Sequence, residues 1–162
     1  MARPVEPPQA ELRKWDYLRD APLEDMRDPR MQRLASLLWA AAGERPRVYC
    51  ILCQALCRDA IRYQTDTARV GGEDFGSPAD AIERGVDDCD AKARAFVTLC
   101  LLKNQRAEMV PLWKGGQLKH VYARVLLDGQ WLPVELTLAR ARLGEEPLRV
   151  PKEPDTGQWL RT

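Results

Sequence analysis

The apolar residues of this chain change their period once, near Asn104. Before that point they recur at helical spacing; after it they fall in short runs rich in β-formers. Helices followed by strands do not alternate into a parallel βαβ sheet. The pattern therefore predicts an α+β fold, with a helical N-terminal half packed on a small antiparallel β-sheet.

The helical half carries its own punctuation. Residues 1–8 hold three prolines and read as a flexible arm. Residues 9–19 place Leu12, Trp15 and Leu18 along one side of a short helix. Asp28-Pro29 is an N-cap followed by proline at the first helical position. The helix it opens carries Met31, Leu34, Leu37 and Leu38 on one face and stops at Gly43. Pro46 opens another helix, to about Tyr63, striped by Cys50, Cys53, Leu56, Cys57, Ala60 and Ile61. Residues 64–76 are polar and hold three glycines, which predicts an exposed loop. Ser77-Pro78 repeats the cap-then-proline start, for a short helix ending near Gly85. A further helix begins at Cys89 or Asp90 and runs through Ala93, Phe96, Val97, Cys100 and Leu101 to Lys103-Asn104.

Three strands follow, over residues 109–113, 120–127 and 130–135. Asp128-Gly129 between the last two is a hairpin signal, and residues 114–117 read as a flexible link. From Leu138 onward an extended wrap is expected, with one short strand near 148–150.

Composition narrows the function. Hydrophobic residues make up 45% and charged residues 30% of the 162, the balance of a single globular domain. Net charge is +1, from 25 basic and 24 acidic residues, so nothing predicts bulk attraction to nucleic acid or to a membrane. No apolar run approaches the roughly 20 residues of a membrane helix, and the first residues have no apolar stretch of a secretory signal. The five cysteines lack the spacing of a disulfide framework, so free thiols in the cytoplasm are the expectation.

A free thiol attacks an acyl group as thiolate, yet with a pKa of about 8.5 it is mostly protonated at neutral pH. Helix N-termini, a neighbouring imidazole and a group that orients that imidazole all help. Cys89 has the first of these by position. The chain contains one histidine, His120, at the start of an expected strand, and Glu135 closes the next strand across the Asp128-Gly129 turn. Pairing about that turn matches residue 120 with about 137 and sets residue 135 on the diagonal, within reach of the imidazole.

The other cysteines admit two readings. Cys50, Cys53 and Cys57 supply enough thiolates for zinc or an iron–sulfur cluster, but i, i+3, i+7 is also the stripe of one buried helix face. Core packing is the reading preferred, with Cys100 on the core face of its own helix; no metal and no cofactor are expected.

Three segments together resemble the transglutaminase-like domains of the papain-like cysteine hydrolase superfamily. They are Ile61-Arg62-Tyr63-Gln64-Thr65-Asp66 with Ser77-Pro78-Ala79-Asp80-Ala81-Ile82 and Gly85-Val86-Asp87-Asp88-Cys89-Asp90-Ala91-Lys92-Ala93; Lys119-His120-Val121-Tyr122-Ala123-Arg124-Val125; and Gly129-Gln130-Trp131-Leu132-Pro133-Val134-Glu135. Two positions depart from that family's pattern: Val86-Asp87 stand where glycine usually precedes Asp-Cys, and Glu135 stands where aspartate is usual.

The resemblance implies a core over 46–138, preceded by an arm and helices over 1–45 and followed by an extended segment over 139–162. It also implies a Cys89–His120–Glu135 site acting on a peptide or protein amide, by hydrolysis or by transfer to an amine. Asp88, Trp113 and Trp131 flank that site in sequence and are candidate substrate-binding residues. The rival expectation is an inactive fold of this type serving as a protein-interaction module, for which the aspartates around Cys89 speak.

Overall fold

In the computed structural model, residues 7–64, 76–145 and 158–159 are described. Five helices come first among them: α1 (Gln9–Asp25), α2 (Pro29–Ala41), α3 (Pro46–Asp59), α4 (Pro78–Arg84) and α5 (Cys89–Leu102). A two-residue parallel pair, β1 (Arg62–Tyr63) and β2 (Val86–Asp87), joins the end of α3 to the approach to α5. Then come β3 (Ala107–Lys114), β4 (Gln117–Leu127) and β5 (Gln130–Val134), with β6 (Gln158–Trp159) on the far edge. The sheet order is β5-β4-β3-β6, all antiparallel.

The two cap-then-proline starts form as their chemistry dictates. The Asp28 carboxylate accepts the Arg30 N–H and Ser77 Oγ accepts the Asp80 N–H, each satisfying a first-turn donor that the helix leaves unpaired. In α2, Met31 and Ala35 are buried and Leu34 and Leu38 pack beside them. Leu37, six positions on from Met31, falls off that 3.6-residue stripe and stands 69% exposed, contrary to the sequence expectation.

Helix α5 is the axle. Every residue from Asp90 to Cys100 is buried, and α1, α2, α3 and α4 pack around it while β3 and β4 back it. Such a helix must satisfy its own polar side chains. Lys92 does so by donating from Nζ to the Arg58 and Ile61 carbonyls, at the C-terminal end of α3, where a cation also suits the helix dipole. Arg94 grips both Asp25 oxygens, at 2.5 and 2.7 Å, and both residues are buried.

That grip accounts for a departure from the sequence reading. Helix α1 does not end near Arg19 but runs on, through the buried Pro22, to Asp25. Helix α3 is shorter than expected, because Arg62 and Tyr63 leave it to pair with Val86 and Asp87.

In the sheet, Val121, Ala123 and Val125 of β4 turn toward the helices, with Met109, Trp113 and Val134 on its neighbours. His120 and Tyr122 alternate to the other face, their rings stacked 6.2 Å apart. Both hairpins close on two residues with positive φ: Asp128 (52°) and Gly129 (77°), as expected, and Gly115 (57°) and Gly116 (75°). The latter pair replaces the expected flexible link with a tight turn whose twist suits the strands it joins. Glu135 lies one residue beyond the end of β5 rather than within it. The expected loop at 64–76 falls mostly, and the expected strand near 148–150 wholly, outside the described residues.

Removing one partner of a buried ion pair strands the other charge. Asp25→Ala is therefore expected to lower unfolding stability by about 3–5 kcal/mol in urea denaturation, with the slope unchanged. A loss under about 1 kcal/mol would show that Arg94 is not held by this carboxylate.

Candidate active site

Cys89 is the first residue of α5, and it sits there because the chain before it is fixed on both sides. The Gln64 N–H donates to the Asp87 carbonyl at 2.9 Å, tying the β1 end to the approach. The Asp87 carboxylate is paired with Arg84 and also accepts the Asp88 N–H at 2.9 Å. Asp88 is the N-cap, its Oδ1 accepting the Ala91 N–H at 3.2 Å. Of the aspartates flanking Cys89, one is thus neutralised by a guanidinium and one is engaged in capping. Cys89 is half-buried, whereas Cys50, Cys53, Cys57 and Cys100 are fully buried.

The Cys89 thiol stands close enough to the His120 imidazole to raise that ring's pKa. His120 Nε2 lies 3.0 Å from Glu135 Oε2. A carboxylate only accepts, so Nε2 carries a proton toward Glu135. The 120–135 diagonal follows from the observed register, in which Ala123 pairs Val134 and Leu127 pairs Gln130.

Glu135 is itself held. Its Oε1 accepts the Leu136 N–H at 2.9 Å, the Thr137 N–H at 2.9 Å and the Thr137 hydroxyl at 2.7 Å. Its main-chain carbonyl accepts from Gln54 Nε2 of α3 at 3.2 Å. Sequence reasoning passed over Thr137, Gln54 and Lys92. A polar side chain at position 54, beside the cysteine stripe of α3, was the available signal, since a buried amide needs a partner.

The charges reinforce one another. Burial alone would lower the His120 pKa, but the hydrogen bonds to Cys89 and Glu135, with their charges, raise it to about 9. Burial alone would raise Glu135, but the His120 bond and charge and the Thr137 donors bring it down to about 2. Burial likewise lowers Lys92, against charges that include Glu135.

The flanking tryptophans lie apart. Trp113 is buried on the core side of β3, and its Nε1–H finds no acceptor among the described residues. Trp131 pairs with Leu126, six residues along β4 from His120 and so about 20 Å away. Its ring lies 4.5 Å from the Arg124 guanidinium. Among the described residues, no group of three or more His, Cys, Asp or Glu side chains is arranged to hold a metal ion. None of the described helices is long and apolar enough to cross a membrane.

No protein-family model and no curated protein matches the chain. Solved structures do. One, named as a candidate protease from Parabacteroides distasonis, superposes with a TM-score of 0.58 at 9% identity, over 72% of this chain and 25% of that one. Another, named as a candidate cysteine protease from Cytophaga hutchinsonii, superposes with a TM-score of 0.52 at 13% identity, over 83% of this chain and 46% of that one. The fold is therefore shared with chains named as proteases, of which this one spans half the length or less.

Because the chain has a single histidine, its ring can be followed by NMR without assignment. Its Cε1–H is expected to titrate near pH 9, and Glu135→Gln to move the midpoint toward 6.5. His120's folded value lies above its ordinary 6.5, so its contribution to stability is complete below about pH 6.5 and is lost as pH rises through about 9. Glu135's value lies below its ordinary 4.5, so its contribution is lost only as pH falls from there through about 2. A midpoint near 6.5 in the unaltered protein would rule out the coupled pair.

Proposed function

We propose that the protein is a cysteine-dependent acyl-transfer enzyme of the transglutaminase-like type, acting on an amide or peptide-like bond. The observation that carries this reading is one imidazole 3.0 Å from a buried carboxylate, with a thiol at a helix N-terminus close enough to raise its pKa.

The chemistry follows from the arrangement. His120 takes the Cys89 proton, giving a thiolate at the positive end of α5 and an imidazolium that Glu135 stabilises. The thiolate adds to the substrate carbonyl; the C–N bond breaks as the imidazolium returns its proton to the departing amine. An acyl thioester is left on Cys89. His120, neutral again, then removes a proton from water or from a second amine as it attacks the thioester carbonyl, and the thiolate leaves. Glu135 fixes the ring orientation and which nitrogen bears hydrogen. Water as the acceptor gives hydrolysis, and an amine gives transfer.

The structures named as proteases support the reading at the level of fold. The Arg84–Asp87 pair and the Asp88 cap support it further, because they account for two of the carboxylates that otherwise oppose a thiolate.

Stoichiometric iodoacetamide at slightly acidic pH is expected to label Cys89 ahead of the four buried thiols, with peptide mapping as the readout. His120→Ala should slow that labelling at least 100-fold, in line with a general base worth about 10²–10⁴. Labelling no faster than for an ordinary exposed thiol would sink the proposal.

A further inference from the structure

The segment ahead of the resemblance reaches into the site's own hairpin. Near the Gly115-Gly116 turn, Trp113 pairs with Leu118; one step further, Leu112 pairs with His120. Lys119 is the extra residue, a β-bulge immediately before the imidazole. The bulge sets parity: it puts Leu118 toward the core and still delivers His120 to the opposite face, beside Tyr122 and Leu112. A slip of one residue there would exchange the two faces.

A bulge interrupts the ladder and is the deformable point of a strand. Here the Leu118 N–H does not rely on the ladder: it donates to Glu11 Oε2, in the first turn of α1, at 3.0 Å and across 107 positions of sequence. Helix α1 packs on β3, β4 and α5, so the carboxylate is delivered by a rigid element. A bond to an ionised acceptor is roughly twice as strong as a neutral one.

We propose that Glu11 is a positioning residue for His120: by holding the Leu118 N–H it locks the bulge that aims the imidazole at Cys89 and Glu135. The proposal rests on the Cys89–His120–Glu135 reading for its functional meaning, though its geometry stands apart from catalysis. The alternative is that Glu11 merely places a negative charge at the start of a helix.

The test compares Glu11→Ala with Glu11→Gln in the full chain, by three readouts: the rate of Cys89 alkylation, the His120 titration midpoint by NMR, and the urea unfolding midpoint. Glu11→Gln keeps an acceptor oxygen and loses the charge. The expected result is a 10- to 100-fold slower alkylation in Glu11→Ala, as misplacement by about 1 Å can cost. A lowered His120 midpoint should accompany it, with both effects largely restored in Glu11→Gln while unfolding stays cooperative. Unchanged rate and midpoint in Glu11→Ala would overturn the proposal. So would equal losses in both variants, or losses no larger than the unfolded fraction explains. If Cys89 is unreactive in the unaltered protein, the proposed function fails, and the His120 midpoint alone still decides whether Glu11 positions the ring.

Discussion

A buried carboxylate must find its donors in the protein, and Glu135 finds four. Leu136, Thr137 N–H and the Thr137 hydroxyl take one oxygen, and His120 takes the other. Desolvating such a group unpaired would cost several kcal/mol or force it to protonate. Three of the donors are local, so the turn after β5 is shaped around the charge. The fourth is the imidazole, whose orientation is thereby set by what Glu135 needs rather than by what Cys89 needs.

The same rule, that an interior charge is either answered or absent, organises the helical half. Helix α5 carries Lys92 and Arg94 through a fully buried stretch, and each is answered by a different element: Lys92 by the carbonyl end of α3, Arg94 by Asp25 at the end of α1. These bonds are directional where apolar packing is not. They fix the axial position and roll of α5 against its neighbours, and so fix where its first residue, Cys89, stands relative to β4.

Local chemistry was legible in the sequence. Asp28-Pro29 and Ser77-Pro78 each wrote a cap and a first turn, and Asp128-Gly129 wrote a hairpin whose register placed residue 135 diagonal to residue 120. The start of α5 at Cys89 was legible too, since Asp88 supplies its cap. What was not legible depends on distant partners. Nothing near Pro22 announces that α1 continues, because the reason lies in Arg94. A two-residue parallel pair such as Arg62–Tyr63 with Val86–Asp87 is too short to carry a period. The Lys119 bulge leaves no local mark either, and without it Glu11 reads as an ordinary first-turn acid. Trp113 and Trp131 are near the site residues in sequence only; strand alternation sends one inward and strand length carries the other away.

The hairpin of β3 and β4 and the helix α5 are joined only when the chain has closed several long loops, from position 11 to 118, from 54 to 135 and from 89 to 120. Contacts of such separation are slow to form, because loop closure is unfavourable until many of them act together. A chain still emerging, or one opened at the sheet, therefore carries at position 89 a thiol with no base beside it. Under the proposed function, reactivity is a property of the finished topology, and a partly folded copy is chemically quiet.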